Sequence, residues 1–329
     1  MEYRQLGTTA VSISRIGFGG GPAGGHDYGP VDEVEWASAL HAALDHGVNF
    51  FDVANVYGLG RVEELLSQAL GERRHDVVIA TKCGLVWDEH RKVHRDLGKD
   101  TVVRSIEASL RRLRVDTIPL LQIHWPDPST PIEETMDALA LCREQGKFRF
   151  LGVSNFPLDL MRRTHAILPI VSQQVAFNLL RREPEGELFS WCVSSRVSIF
   201  AHSALAQGLL AGRRPIGPVG DINDVRRKSP YFSENDREEK QGVLNAVRSL
   251  SNKLARPFSA VSLRWVLDNP EVSAVLVGIK DRQQLLDNLK AVDWQLSPEE
   301  RENLNYLSSL CPSGLAGTPA HGAASYSLS

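Results

Sequence analysis

The sequence predicts an α/β fold, a single (β/α)8 barrel, on three observations. Short β-rich runs alternate with helix-length amphipathic stretches along the chain. Many runs are apolar on both faces, as in Val77-Val78-Ile79-Ala80, which suits parallel strands lying between covering helices and an inner core. Asp52, Lys82 and His124 close such runs, and the carboxyl ends of barrel strands are where this architecture carries its chemistry. At 329 residues the chain fits one such barrel, with all crossovers right-handed.

A hairpin cap of Tyr3–Leu6 and Val11–Ser14 comes first, joined through Gly7-Thr8-Thr9-Ala10. The eight strands are expected at 16–19, 49–54, 77–82, 118–124, 148–154, 170–176, 198–203 and 272–278. Helices are expected at 32–45, 61–70, 99–113, 132–145, 158–165, 185–194, 259–268 and 282–291. Pro131 with Glu133 and Glu134 reads as a helix start, and Gly47, Gly71 and Gly146 as helix stops. Gly212 to Glu234, rich in Gly, Pro, Arg and Asp, is expected as a long loop on the active face, with an extra helix at 236–254 behind it and a further extra helix after the eighth strand. The barrel is bounded at 1–311, and the small, polar tail 312–329 is expected to be poorly ordered.

Composition narrows the class. The 37 basic and 40 acidic residues leave a net charge of −3, without the basic excess of a nucleic-acid binder. No apolar run approaches the roughly 18 residues that span a bilayer, and the first residues lack a signal-peptide pattern. Cys83, Cys142, Cys192 and Cys311 are scattered with no C-x-x-C pair, which argues against a thiol-ligated metal and for reduced thiols in the cytoplasm. Gly19-Gly20-Gly21-Pro22-Ala23-Gly24 matches G-x-G-x-x-G, but a loop (His26-Asp27-Tyr28-Gly29-Pro30) follows where the dinucleotide fingerprint needs a helix.

Four segments carry a resemblance: Phe51-Asp52-Val53-Ala54-Asn55-Val56-Tyr57-Gly58, Ala80-Thr81-Lys82, Gln122-Ile123-His124-Trp125-Pro126-Asp127 and Gly152-Val153-Ser154-Asn155-Phe156. In order and spacing they resemble the aldo-keto reductases over about residues 3–307, and Trp125-Pro126-Asp127-Pro128 with Pro131-Ile132-Glu133-Glu134 most resembles the bacterial general-stress and inositol-utilisation branch. The resemblance implies NADPH-dependent reduction of small aldehydes or ketones. It implies Tyr57 as proton donor, assisted by Lys82, Asp52 and His124. Each residue type suits its role. Hydride addition builds negative charge on the carbonyl oxygen, which needs a proton and a positive surrounding. A free tyrosine, with a pKa of about 10, is a poor acid near neutrality, and a neighbouring ammonium favours its ionised form. Asp52 would hold Lys82 in a buried ion pair, and His124 would orient the carbonyl oxygen.

The resemblance also implies the cofactor contacts. Ser154, Asn155 and Gln174 match the nicotinamide-amide positions, and Gly20 and His202 are further expected cofactor contacts. Ser203, Leu205, Gln207 and Gly208 match the pyrophosphate turn. Gly278, Lys280, Gln284 and Asn288 match the adenosine end, and Arg226 and Arg227 are placed to fold over the pyrophosphate. A basic residue beside the ribose favours a 2′-phosphate, so Lys280 points to NADPH. Two positions depart from the family. His202 stands where a tyrosine usually stacks on the nicotinamide, and Gly21 where many relatives carry an aromatic wall. The mouth is thus expected to be open on the first-strand side, with Trp87 and Trp125 as apolar walls. Two alternatives remain: an NAD(H)-preferring sugar or polyol dehydrogenase, and a cofactor-bound regulatory subunit. The sequence sets no oligomeric state.

Overall fold

The computed structural model describes residues 1–25, 29–219 and 224–311. An antiparallel hairpin of β1 (Tyr3–Gln5) and β2 (Ser12–Ser14) leads into the barrel. The first three barrel strands are β3 (Ile16–Gly19), β4 (Phe50–Asp52) and β5 (Val78–Cys83). A second hairpin, β6 (Leu85–Trp87) and β7 (Val93–Arg95), follows. The remaining strands are β8 (Ile118–Ile123), β9 (Phe148–Ser154), β10 (Ser172–Ala176), β11 (Ser198–His202) and β12 (Val272–Gly278). The eight pair in parallel, and β12 closes the ring on β3.

Helices α1 (Glu33–Asp45), α2 (Arg61–Leu70), α3 (Lys99–Leu113), α4 (Ile132–Glu144), α5 (Leu158–Ile167) and α6 (Glu187–Ser194) link the strands in turn. Two helices, α7 (Arg237–Leu254) and α8 (Phe258–Leu267), lie between β11 and β12, and α9 (Arg282–Leu289) and α10 (Pro298–Leu310) come last. The expected stops hold: Gly47, Gly71 and Gly146 follow their helices with φ of +81°, +54° and +74°, a region that glycine enters without steric penalty. No helix among the described residues is long and apolar enough to cross a membrane.

Strand alternation positions the site. On β5, Val78 and Ala80 join an inner cluster with Phe50, Leu120, Phe200, Ala274 and Leu276, while Ile79 joins the outer layer under the helices. Leu6 and Ile13 of the first hairpin belong to the same inner cluster, so the hairpin plugs the amino end of the barrel. Continuing the period of two upward puts Asp52, Lys82, Gln122, Gln174 and His202 on the inner face at the carboxyl end. β4, β5, β8 and β11 are thus apolar low in the barrel and polar at the top, with Phe50 below Asp52, Ala80 below Lys82, Leu120 below Gln122 and Phe200 below His202.

The β6–β7 hairpin was not expected from the sequence, whereas the extra helix expected after the eighth strand is α10. It starts at a readable signal: Ser297 and Glu300 form a reciprocal capping box ahead of it. The long segment after β11 forms short 3-10 turns at Val225–Lys228 and Pro230–Phe232. Tyr231 and Phe232 are buried, and the Lys240 ammonium donates to the carbonyls of Pro230, Ser233 and Asn235 at 3.0, 3.0 and 2.8 Å. The expectations for 26–28, for 220–223 within the loop and for the tail 312–329 lie outside the described residues.

Candidate active site

Four polar side chains from different strands meet at the carboxyl end. The Lys82 ammonium donates to Asp52 Oδ1 at 2.6 Å, to the Val53 carbonyl at 2.9 Å and to the Tyr57 hydroxyl at 3.5 Å. Asp52 Oδ2 accepts from Gln122 Nε2 at 3.0 Å and Gln174 Nε2 at 2.9 Å. Lys82 is wholly buried, and that burial pulls its pKa below the ordinary 10.5 while the Asp52 carboxylate works the other way. Tyr57 reaches the rim because its chain turns sharply: Gly58, Leu59 and Gly60 all have positive φ, at 58°, 53° and 96°. The rings of Tyr57 and His124 meet edge-on, with centroids 5.9 Å apart.

A cavity of about 630 Å³ opens above this group. On one side Val56, Leu85 and Trp125 give it an apolar wall beside Tyr57 and His124. Gly21 lines it on the other. A Cβ built at Gly21 would meet only the Tyr57 ring, at 3.8 Å, whereas one at Gly20 would sit 2.8 Å from Val53 and one at Gly19 3.0 Å from the Val277 carbonyl. Packing therefore requires glycine at 19 and 20 and leaves open space at 21. At the far end the lining carries Arg213, Arg214, Arg226 and Lys280, with Gln284 and Asn288. Burial and then Arg226 push the Lys280 pKa below 10.5, against the pull of Asp224 and Asp281. Asp224 holds Arg226 at 2.7 and 3.0 Å through the guanidinium Nε.

Between the two ends a polar chain crosses the floor. Asn155 Nδ2 donates to Ser154 Oγ at 2.9 Å and to the His124 carbonyl at 3.2 Å, so its Oδ1 faces His202 Nε2, 3.0 Å away. That oxygen only accepts, so His202 Nε2 carries the hydrogen. Asn155 and Ser203 adopt left-handed backbone, with φ of 60° and 53°, the kind of strain that persists where the surroundings fix a site. Asn178 Nδ2 supports the Ser203 carbonyl at 2.9 Å and also donates to the buried Tyr231 hydroxyl at 3.0 Å.

Most residues singled out in the sequence line this cavity: Asp52, Tyr57, His124, Gln174, His202, Ser203, Leu205, Gln207, Gly208, Gly278 and the far-end group, with Gly21 and Trp125. Lys82, Gly20, Ser154 and Asn155 stand just behind the surface, whereas Trp87 and Arg227 are outside the lining. Trp87 packs instead against the small cluster of Ala54, Val56, Leu85 and Val93, and Leu85 forms the wall. Gln122, Arg213 and Arg214 were missed. Gln122 had a signal, since it lies two residues before His124 and so shares its face. Cys83, beside Lys82, is buried and its thiol is pushed up to about 12 by that burial, so it is chemically quiet.

The sequence model described as "Aldo/keto reductase family" matches residues 15–308. The chain belongs to the aldo/keto reductase family. It is 32% identical over 308 residues to the aldo-keto reductase YhdN of Bacillus subtilis, covering 93% of each chain. It is 32% identical to a probable voltage-gated potassium channel subunit beta of Arabidopsis thaliana, covering 89% of this chain and 92% of that one. Among solved structures, a glycerol dehydrogenase from Gluconobacter oxydans superimposes with a TM-score of 0.86 at 32% identity, covering 94% of this chain and 96% of that one. As an aldo/keto reductase the chain is an oxidoreductase of the nicotinamide-dependent, carbonyl-reducing kind.

Proposed function

We propose that this aldo/keto reductase reduces aldehydes and ketones to alcohols with NADPH, with Tyr57 as the proton donor. The observation that carries the reading is the Lys82 ammonium, held by Asp52 at 2.6 Å and lying 3.5 Å from the Tyr57 hydroxyl at the floor of one cavity. When bound, the reduced nicotinamide would supply the hydride for the carbonyl carbon. The carbonyl oxygen then takes the Tyr57 proton, so hydride and proton together make the alcohol. The phenolate left behind is favoured by the adjacent ammonium and regains its proton from water. His124 directs the oxygen toward the phenol, while Gln122 and Gln174 hold Asp52 so that it in turn holds Lys82.

The chemistry of the far end fits a phosphorylated cofactor. Arg213, Arg214, Arg226 and Lys280 line it together, and a cluster of cations recognises a 2′-phosphate where a carboxylate would favour the unphosphorylated ribose. His202, Asn155 and Ser154 would hold the carboxamide region, and the turn at Ser203–Gly208 the pyrophosphate. The open space at Gly21 would receive substrate beside Tyr57, opposite the wall of Leu85 and Trp125.

The glycerol dehydrogenase likeness favours one second reading, the same chemistry run as polyol oxidation. Steady-state assays separate the readings. NADPH is expected to be consumed with 4-nitrobenzaldehyde, and more efficiently than NADH. A higher kcat/KM for polyol oxidation with NAD+ would favour the second. Tight NADPH binding without turnover in either direction would contradict both and favour a cofactor-bound regulatory subunit.

A further inference from the structure

Glu63 is a carboxylate that the mechanism above does not use. It lies in the first turn of α2 and is wholly buried. Its Oε1 accepts from the Thr81 hydroxyl at 2.5 Å and its Oε2 from Arg112 Nε at 2.6 Å. Thr81 immediately precedes Lys82, and strand alternation sends the two side chains to opposite faces, Thr81 outward to the helices and Lys82 inward to the site. On the other side, only the turn at Gly58-Leu59-Gly60 separates Tyr57 from the start of α2. Arg112 packs directly under that turn, since a Cβ at Gly60 would sit 2.8 Å from Arg112 Cδ.

From this bracket we infer that Glu63 is a positioning residue: through Thr81 on the Lys82 strand and Arg112 under the Tyr57 turn, it sets the separation of the Tyr57 hydroxyl from the Lys82 ammonium. Removing two charges from water is unfavourable, and a well-packed apolar pair in the same volume is often at least as stable. Stability alone therefore does not call for Glu63 and Arg112 here. What an apolar pair lacks is direction, and the two carboxylate oxygens fix a strand, a helix and a turn in one register. The Glu63 charge also reaches through the strand, where it helps Lys82 keep its proton against burial.

The inference rests on the proton-relay reading and is tested beside it. Thr81→Val removes one hydroxyl at nearly constant volume, and Thr81→Ser restores the hydroxyl. Thr81→Val is expected to lower kcat for aldehyde reduction about tenfold, about 1.4 kcal/mol of barrel-mouth geometry. It should also move the alkaline limb of the pH profile to higher pH, because a phenol farther from a cation keeps its proton longer. NADPH Kd should stay within about twofold of the unaltered protein. Thr81→Ser should recover most of kcat and return the limb. Glu63→Gln, similar in size, is read in the same way should Thr81→Val not fold. A lower Tm with kcat and the limb unmoved would make the bracket merely structural and overturn the inference. Tyr57→Phe is run alongside: if it retained turnover, the relay reading would fail, independently of the bracket.

Discussion

Around Tyr57 the polar groups stand on barrel strands and are buried, whereas around Lys280 the cations stand on loops and short turns and line the far end of the cavity. Asp52, Lys82 and Gln122 are at most 4% exposed, and each is held by at least one other member of the group. Arg213, Arg214 and Arg226 follow β11 in a long segment of short turns. On the proposed reading the difference is one of purpose. A proton transfer needs atoms fixed within fractions of an ångström, which strands and buried ion pairs provide. Phosphate recognition needs positive charge that tolerates small displacements, which side chains on loops provide.

The largest effect expected is at the buried end. Lys82→Met strands the Asp52 carboxylate in a closed barrel, and removing one partner of a buried pair costs roughly 3–5 kcal/mol. A large fall in Tm in thermal denaturation, with reduction down about a hundredfold or more, is the expected result. At the open end, Lys280→Met should raise the NADPH Kd about tenfold and leave NADH almost unaffected, with little change in Tm. The two ends are thus told apart by whether stability moves with function.

Titration sharpens the contrast. Burial and Arg226 hold the Lys280 pKa below 10.5, so rising pH removes this charge sooner than an ordinary lysine's. NADPH affinity should therefore fall on the approach to pH 10.5 while NADH affinity stays flat, and fluorescence titrations across that range check the sign. A smaller effect is expected at Gly21. Gly21→Leu fills the space beside the Tyr57 ring, and the ratio of kcat/KM for 4-nitroacetophenone over 4-nitrobenzaldehyde should fall severalfold to about tenfold. The smallest is at Cys83, where a thiol held near 12 leaves almost no thiolate at pH 8. Peptide mapping after iodoacetamide should find it unmodified.

The same division explains what could be read from the chain. The strands that build the site were legible because their apolar runs end in polar residues, and the period of two then dictates which residues share the inner face. Phe50 below Asp52, Ala80 below Lys82 and Phe200 below His202 follow from that arithmetic. The β6–β7 hairpin was not legible, since Leu85-Val86-Trp87 is too short to separate from a loop, and so Trp87 was expected where Leu85 stands. Arg213 and Arg214 sit in a stretch without periodicity, where the turns decide which arginine faces the cleft. Glu63 was hidden for another reason: on an amphipathic helix a glutamate reads as solvent-facing, and only partners on other elements, Arg112 from α3 and Thr81 from β5, make its burial tolerable.

The most direct test is Tyr57→Phe, which deletes one hydroxyl from the floor of the cavity. NADPH Kd should stay within about threefold, while kcat for 4-nitrobenzaldehyde falls about a thousandfold, within the range general acids contribute. Undiminished kcat in a folded, NADPH-binding Tyr57→Phe protein would contradict the account.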